Sequence, residues 1–217
     1  AAARGAAADG VLIYSPNAGR MFLKLFSPAG GFLGQAVAER TSAAVGELTP
    51  LLAREWMIKR AVGLEPPEAP FRLSLADPRA GNPSYQVGDE IRLRLTSTRP
   101  ASVVLLNVEA TGQVTLLLPN GYQPAPQVTP EAPCLLPEPG GLALTADGPP
   151  GPQYFLAVAT AEPLDLPELR LDDLNGRPFR RLAPLAGVSL LNKLAAALEK
   201  RPNGYATADL LALVKVP

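Results

Sequence analysis

Histidine is missing from all 217 residues, and cysteine occurs once, at Cys134. Without imidazole the chain has no Ser-His or Cys-His relay, and it lacks both the commonest general base near neutral pH and the most frequent zinc ligand. A single cysteine forms no internal disulfide and builds no iron–sulfur or structural zinc site. Within Ala132-Pro133-Cys134-Leu135 it reads as an inert, half-buried thiol. Charge of one sign is also lacking, because 20 basic and 20 acidic residues cancel. The chain therefore carries no electrostatic footprint for nucleic acid or an anionic membrane. Pro, Gly or a charge interrupts every apolar run before the length of about 20 residues that crosses a bilayer. No GxxxxGK[ST] or GxGxxG loop precedes a helix, which disfavours nucleotide-dependent chemistry.

What the chain does contain is apolar residues, at 47%, enough for a sizeable core. Its 19 glycines and 25 prolines imply many turns and short regular elements, which favours β structure with long loops. Ala1 to Gly10 is Ala-rich and lacks the basic-then-apolar order of an intact secretion signal, so a signal is expected to have been removed. Val11 to Tyr14 and Met21 to Phe26 flank Ser15-Pro16-Asn17-Ala18-Gly19, the pattern of a hairpin. From Phe32 to Val62, Leu33, Val37, Val45, Leu48, Leu52 and Trp56 recur at mostly helical spacing and predict one long helix. Pro50 predicts a kink or restart there, with Thr49 capping the second piece. The proline-rich stretch 65–70 is expected to link an N-terminal unit, 1–64, to a main domain, 71–217.

Beyond the linker, Phe71 to Leu75 reads as a strand, and so does Glu90 to Ser97, where Ile91, Leu93 and Leu95 alternate with Arg92, Arg94 and Thr96. Val103 to Val108 and Val114 to Leu118 predict a hairpin closed around Gly112. Pro119 to Gly141 reads as a long loop with a short strand near Leu135 and Leu136. Leu142 to Thr145 and Tyr154 to Thr160 predict further strands, Pro163 to Pro184 a loop, and Val188 to Lys200 a helix ended by Asn203-Gly204. Asp209 to Val216 is expected as a last strand on the sheet edge.

The residues Tyr85-Gln86-Val87-Gly88-Asp89-Glu90-Ile91, Val104 to Val108, Val114 to Asn120, Gly148 to Pro152 and Tyr154 to Ala159 together resemble the bacterial family called domain of unknown function 4384. The resemblance spans roughly 80 residues, the core of a small β domain. It implies an accessory module found beside many partners, among them envelope proteins, lipoproteins and caspase-like or kinase-like chains. It brings no active site. The tail, from Asp172-Asp173-Leu174-Asn175-Gly176 to Ala212-Leu213-Val214, resembles the ends of secreted members and implies export. The expected fold is mainly β: a β-sandwich, Ig-like or jelly-roll-like, with an N-terminal helical element and a C-terminal helix.

Few residues invite chemistry. Asp165, Glu168, Asp172 and Asp173 crowd one loop and offer paired carboxylates or hard oxygen ligands for calcium, yet their spacing matches no calcium loop and solvated surface is the preferred reading. Asp89-Glu90 and Asp147 offer less. Trp56 and the five tyrosines offer aromatic rings for sugars but are scattered, and a tryptophan on an apolar helix face usually belongs to the core. No catalytic, metal or cofactor residue is therefore assigned. The expected function is a non-enzymatic interaction or structural module of the bacterial cell envelope, periplasmic or extracellular, binding other envelope proteins, with a second copy of the chain as a further candidate partner. A regulatory or targeting domain beside a caspase-like or kinase-like enzyme is the alternative. A histidine-free hydrolase would need two carboxylates facing across a cleft at about 5–10 Å.

Overall fold

A computed structural model describes residues 11–17, 20–27, 29–39, 41–79, 83–141, 143–172, 174 and 176–216. The Ala-rich start, Ala18-Gly19, Leu142, Asp173 and Asn175 lie outside these. The described chain is mainly β, with several sheets and two α-helices.

The first sheet is an antiparallel meander of β1 (Val11–Asn17), β2 (Arg20–Phe26) and β3 (Phe32–Ala38). Pro16 sits on the edge strand β1, where a missing backbone donor costs the ladder least. The predicted hairpin is present, but the helix predicted from Phe32 begins only at Thr41. Leu33 and Val37 suit either period. In the fold Leu33 packs toward the core, Ala36 is buried and Val37 is exposed. Gly34 sits so close to α1 (Thr41–Val62) that an added Cβ would lie 2.5 Å from Leu51 Cδ1.

Pro50 neither ends nor restarts α1, which runs through it. Thr49 is not a cap: its hydroxyl donates to the Val45 carbonyl at 2.9 Å, one turn back. The helix persists because both halves are buried. Ala44 and Leu48 pack on Leu23, Leu25 and Ala36 of the meander, while Met57 and Ala61 enter a second core. Lys59 and Arg60 in its last turn suit the negative end of the helix dipole. Val45 and Leu52, part of the predicted apolar line, are exposed.

The proline-rich stretch 65–70 connects α1 to β4 (Leu73–Ala76). A large sheet follows in the order β12 (Arg180–Leu182), β8 (Val114–Leu118), β7 (Ala101–Val108), β11 (Gly151–Thr160), β13 (Tyr205–Lys215) and β5 (Ser84–Gln86). The short β9 (Gln127–Val128) adds to β7. A smaller sheet has the order β10 (Cys134–Leu136), β6 (Leu93–Ser97) and β4.

Alternation along the strands assigns each face of the large sheet to a different core. Val103, Leu105, Leu117, Phe155 and Ala157 pack on Leu73, Leu93 and Leu95 of the smaller sheet. Val104, Leu106, Leu116, Leu156 and Val158 pack on Met57 and Ala61 of α1 and on Leu190, Leu191 and Leu194 of α2 (Pro184–Glu199). Strands buried on both faces read as continuous apolar runs, which is why β7, β8 and β11 were visible in the sequence.

Two glycines are required where layers meet. Gly112, with φ +80°, closes the β7–β8 hairpin, and a Cβ there would lie 2.3 Å from the Pro50 carbonyl oxygen. A Cβ on Gly187 would lie 2.4 Å from Val114 Cγ2 and 2.9 Å from Met57 Sδ, so α2 can approach sheet and helix only without one.

Three further expectations change. β13 does not pair at an edge. It lies between β11 and β5, antiparallel to the first and parallel to the second. Of the predicted strand 142–145, Leu142 lies outside the described residues, and among the rest the ladder is a single bridge, Glu90 to Thr145. The predicted loop 163–184 contains a short 3-10 turn, Pro167–Leu169, and the edge strand β12, whose Arg-Arg-Leu carries no alternation to read.

Candidate functional site

One row of paired residues crosses the large sheet on the face it turns toward the smaller sheet. Arg181 of β12 faces Thr115 of β8, Thr115 faces Asn107 of β7, and Asn107 faces Phe155 of β11. Nearer the middle of the sheet the corresponding row is apolar and covered. Here it is polar, and it forms the floor of a cleft of about 370 Å³. The opposite wall is Ile91 with the segment 143–147, fixed by backbone hydrogen bonds from Ile91 N to Leu144 O at 2.7 Å and from Ala146 N to Asp89 O at 2.9 Å.

Glu109 lines the cleft and is only 7% exposed, and its Oε1 accepts a hydrogen bond of 3.0 Å from the Thr115 hydroxyl. Its position is fixed by the hairpin: Glu109 N donates to Gln113 O, and Gly112 N donates to Glu109 O, both at 2.9 Å. Asn107 Nδ2 donates to Gln153 Oε1 at 3.0 Å, while Asn107 Oδ1 is buried without a protein partner. At the rim Arg181 Nη2 meets Asp147 Oδ2 at 2.9 Å, bridging β12 to the opposite wall. Arg177 lines the same side, and Phe179 adds an apolar wall. Two carboxylates and two guanidinium groups thus line one small cleft, with an apolar surface between them.

Chemically this arrangement can hold a ligand by charge and hydrogen bonds. Its carboxylates differ in surroundings, Asp147 being ion-paired and half solvated and Glu109 being buried on a hydroxyl.

Of the acidic residues singled out in the loop 165–173, the described ones, Asp165, Glu168 and Asp172, do not line this cleft. Asp165 pairs with Arg170 at 3.1 Å, and Glu168 pairs with Lys193 of α2. That pairing holds the Glu168 carboxyl below its ordinary range, burial opposing it. Asp173 lies outside the described residues. Among the described residues no three Cys, Asp or Glu side chains come together as a metal-binding group. Trp56 packs on the helix-side core, and Tyr85 and Tyr154 are buried. Cys134 is more buried than predicted, at 5% exposure, and burial, reinforced by Glu138, pushes its thiol up to about 11.

A second polar cluster holds β4 to β5. Asp77 receives the Arg79 guanidinium at 3.0 Å and the Tyr85 hydroxyl at 2.7 Å, and Arg79 lies 4.9 Å from the Tyr85 ring centre. Burial raises the Asp77 carboxyl, but these donors outweigh it and leave its pKa below the ordinary value.

In the sequence Glu109 falls in the short connection of the hairpin, where a carboxylate is ordinarily solvated, and nothing local marks it as part of a cleft. The available signal was polar residues inside apolar strands: Asn107 in Val103 to Val108, Thr115 in Val114 to Leu118, and Gln153 before Tyr154.

The other notable surface is the outer face of the meander. With Leu23 and Leu25 turned to α1, their neighbours Phe22, Lys24 and Phe26 turn away, joined by Ile13 at 51% exposure, Phe32 at 57% and Val37 at 41%. Phe26 and Phe32 meet edge to face, with ring centres 5.6 Å apart.

Comparison with known proteins bears on the middle of the chain. Residues 84–163 match the family described as Domain of unknown function (DUF4384). This segment is similar to DUF4384 domains. It runs from β5 to just past β11 and contains Asn107, Glu109, Thr115, Asp147 and Gln153, whereas Arg177, Phe179 and Arg181 come from β12 and the segment before it, outside the DUF4384 match. No curated protein and no solved structure matches the chain. No helix among the described residues is long and apolar enough to cross a membrane.

Proposed function

We propose that this protein is a non-enzymatic interaction module of the bacterial cell envelope, which holds another envelope protein through the outer face of its N-terminal meander. The observation that carries the reading is that face: Ile13, Phe32 and Val37 are exposed on a sheet whose other side is already committed to α1. Lys24 and Gln35 cross the middle of this face in one row with Ile13, between the Phe22–Val37 and Phe26–Phe32 pairs, and exposed apolar side chains mixed with polar ones are the composition of a protein-binding surface. We read the two packed sheets of the main domain as a β-sandwich, Ig-like or jelly-roll-like, a rigid support that sets the meander at a fixed angle through α1. Export and an envelope location are part of the same proposal, motivated by the resemblance of the tail to secreted members of the family.

The regulatory alternative, a targeting domain beside a caspase-like or kinase-like enzyme, shares the binding surface and differs in compartment and partner. A Phe32→Ser, Val37→Ser double variant tests the surface. Both residues are exposed, so the fold should be unchanged, and recovery of crosslinked partner from envelope fractions should fall at least about tenfold if this face is the centre of the contact. Undiminished recovery would remove the meander from the proposal.

A further inference from the structure

We infer that the cleft at the open end of the large sheet is a binding site for a small zwitterion of the α-amino-acid class carrying an apolar side chain. At about 370 Å³ the cleft lies at the small end of the roughly 300–1,000 Å³ spanned by ligand pockets. Its lining is balanced in charge: Glu109 and Asp147 against Arg177 and Arg181. Asp147 and Arg181 answer each other across the mouth, which leaves Glu109 and Arg177 as the charges a ligand meets, and a zwitterion satisfies both. Glu109 is the receptor for the ammonium. It is more than nine-tenths buried, and the Thr115 hydroxyl occupies only one of the sites at which a carboxylate can accept. The other carboxylate oxygen, Oε2, accepts no hydrogen bond from the described residues and leaves room for a charge-assisted one from a ligand ammonium.

Thr115 is bonded to Glu109 and faces Arg181 in the ladder, so the two receptors are neighbours, as the two charges of an α-amino acid, carried on one carbon, require. The ligand carboxylate goes to the guanidinium of Arg181, which Asp147 holds across the mouth. That pair is half solvated and weak. A bound carboxylate joins or replaces Asp147 on the Arg181 fork, with Arg177 on the same side. Ile91, Leu144, Phe155 and Phe179 supply the apolar lining for the ligand's side chain. The site joins the DUF4384 segment to β12, so the residues for the two ends of the ligand come from different parts of the chain.

The test is isothermal titration calorimetry of the whole chain with L-leucine and L-phenylalanine. Leucinamide, which lacks the carboxylate, and 4-methylpentanoate, which lacks the ammonium, serve as paired controls. The expected result is saturable binding of at least one amino acid with Kd of about 1 mM or tighter, weakened at least about tenfold in each control ligand. Glu109→Gln keeps the size of the side chain and an acceptor for Thr115, and Arg181→Gln changes a half-exposed rim residue. Each should weaken the amino acid by a similar factor, and Glu109→Gln should leave the residual binding of 4-methylpentanoate unchanged. The inference is overturned if neither amino acid binds up to about 10 mM, or if 4-methylpentanoate or leucinamide binds as tightly as leucine. It is equally overturned if binding is unaltered in a folded Glu109→Gln protein, and should that variant not fold, Arg181→Gln with the leucinamide comparison decides.

Discussion

Met57→Ala is the substitution that asks most of the architecture. Met57 is fully buried on α1, against Val114 of the large sheet and beneath Gly187 of α2. Truncation removes three heavy atoms, and at about 0.8 kcal/mol for each methylene-sized group the transfer loss is about 2.4 kcal/mol. Because α2 is held at its close approach by packing along its whole face, little collapse is expected. A residual void of roughly 50 Å³ at about 24 cal/mol per Å³ adds about 1.2 kcal/mol. The total, about 3–4 kcal/mol, corresponds to a fall in Tm of roughly 7–15 °C for a chain of this size. Urea unfolding followed by tryptophan fluorescence and far-UV circular dichroism measures it, Trp56 being one residue away on the same helix. The two signals should move together, because α1 shares a core with the main domain across the stretch 65–70. A loss under about 1 kcal/mol would refute the reasoning. So would a circular dichroism transition that stays put while the fluorescence transition shifts.

Gly112→Ala forces a Cβ to within 2.3 Å of the Pro50 carbonyl at positive φ, and should cost about 1–3 kcal/mol in urea unfolding. The depressed pKa of Asp77 makes its contribution present above the unfolded value of about 3.9 and lost as pH falls through the folded value. Urea midpoints measured from pH 6 down to about 2.5 should therefore fall less steeply in Asp77→Asn than in the parent, and parallel curves would contradict this. Cys134, with its thiol pushed up to about 11, should be about one part in a thousand thiolate at pH 8, and should react with a disulfide reagent far more slowly in the native chain than in urea.

The parts of the fold legible in the sequence were those where one local pattern has one structural meaning. The runs rich in β-branched residues and leucine around Glu109 to Gln113 announce the β7–β8 hairpin, and Leu190, Leu191, Leu194 and Leu198 announce α2. What failed were places where tertiary burial decides. Leu33 and Val37 satisfy a helix as well as a strand, and only pairing with β2 selects the strand. Pro50 looks like a break, yet burial of Leu48 on one side and Met57 on the other keeps α1 whole. The last strand looked peripheral because nothing in Asp209 to Val216 reveals the parallel partner at Ser84 to Gln86. The cleft was illegible as a unit because Glu109, Asp147 and Arg181 are far apart in the chain and meet only through sheet register. Its polar interruptions of apolar strands were visible, but no local rule says that they share a row.

The most direct test of the proposed function is amine-reactive crosslinking with mass spectrometry on separated envelope and cytosolic fractions of the native bacterium. Lys24 is exposed on the outer face of the meander, whereas Lys193, Lys200 and Lys215 lie on α2, at its end and on β13. Reproducible links are expected from Lys24 to one or a few proteins of the envelope fraction, with the other lysines linked mainly within the chain. A chain found in the cytosol, or one whose intermolecular links run through α2 and spare Lys24, would contradict it.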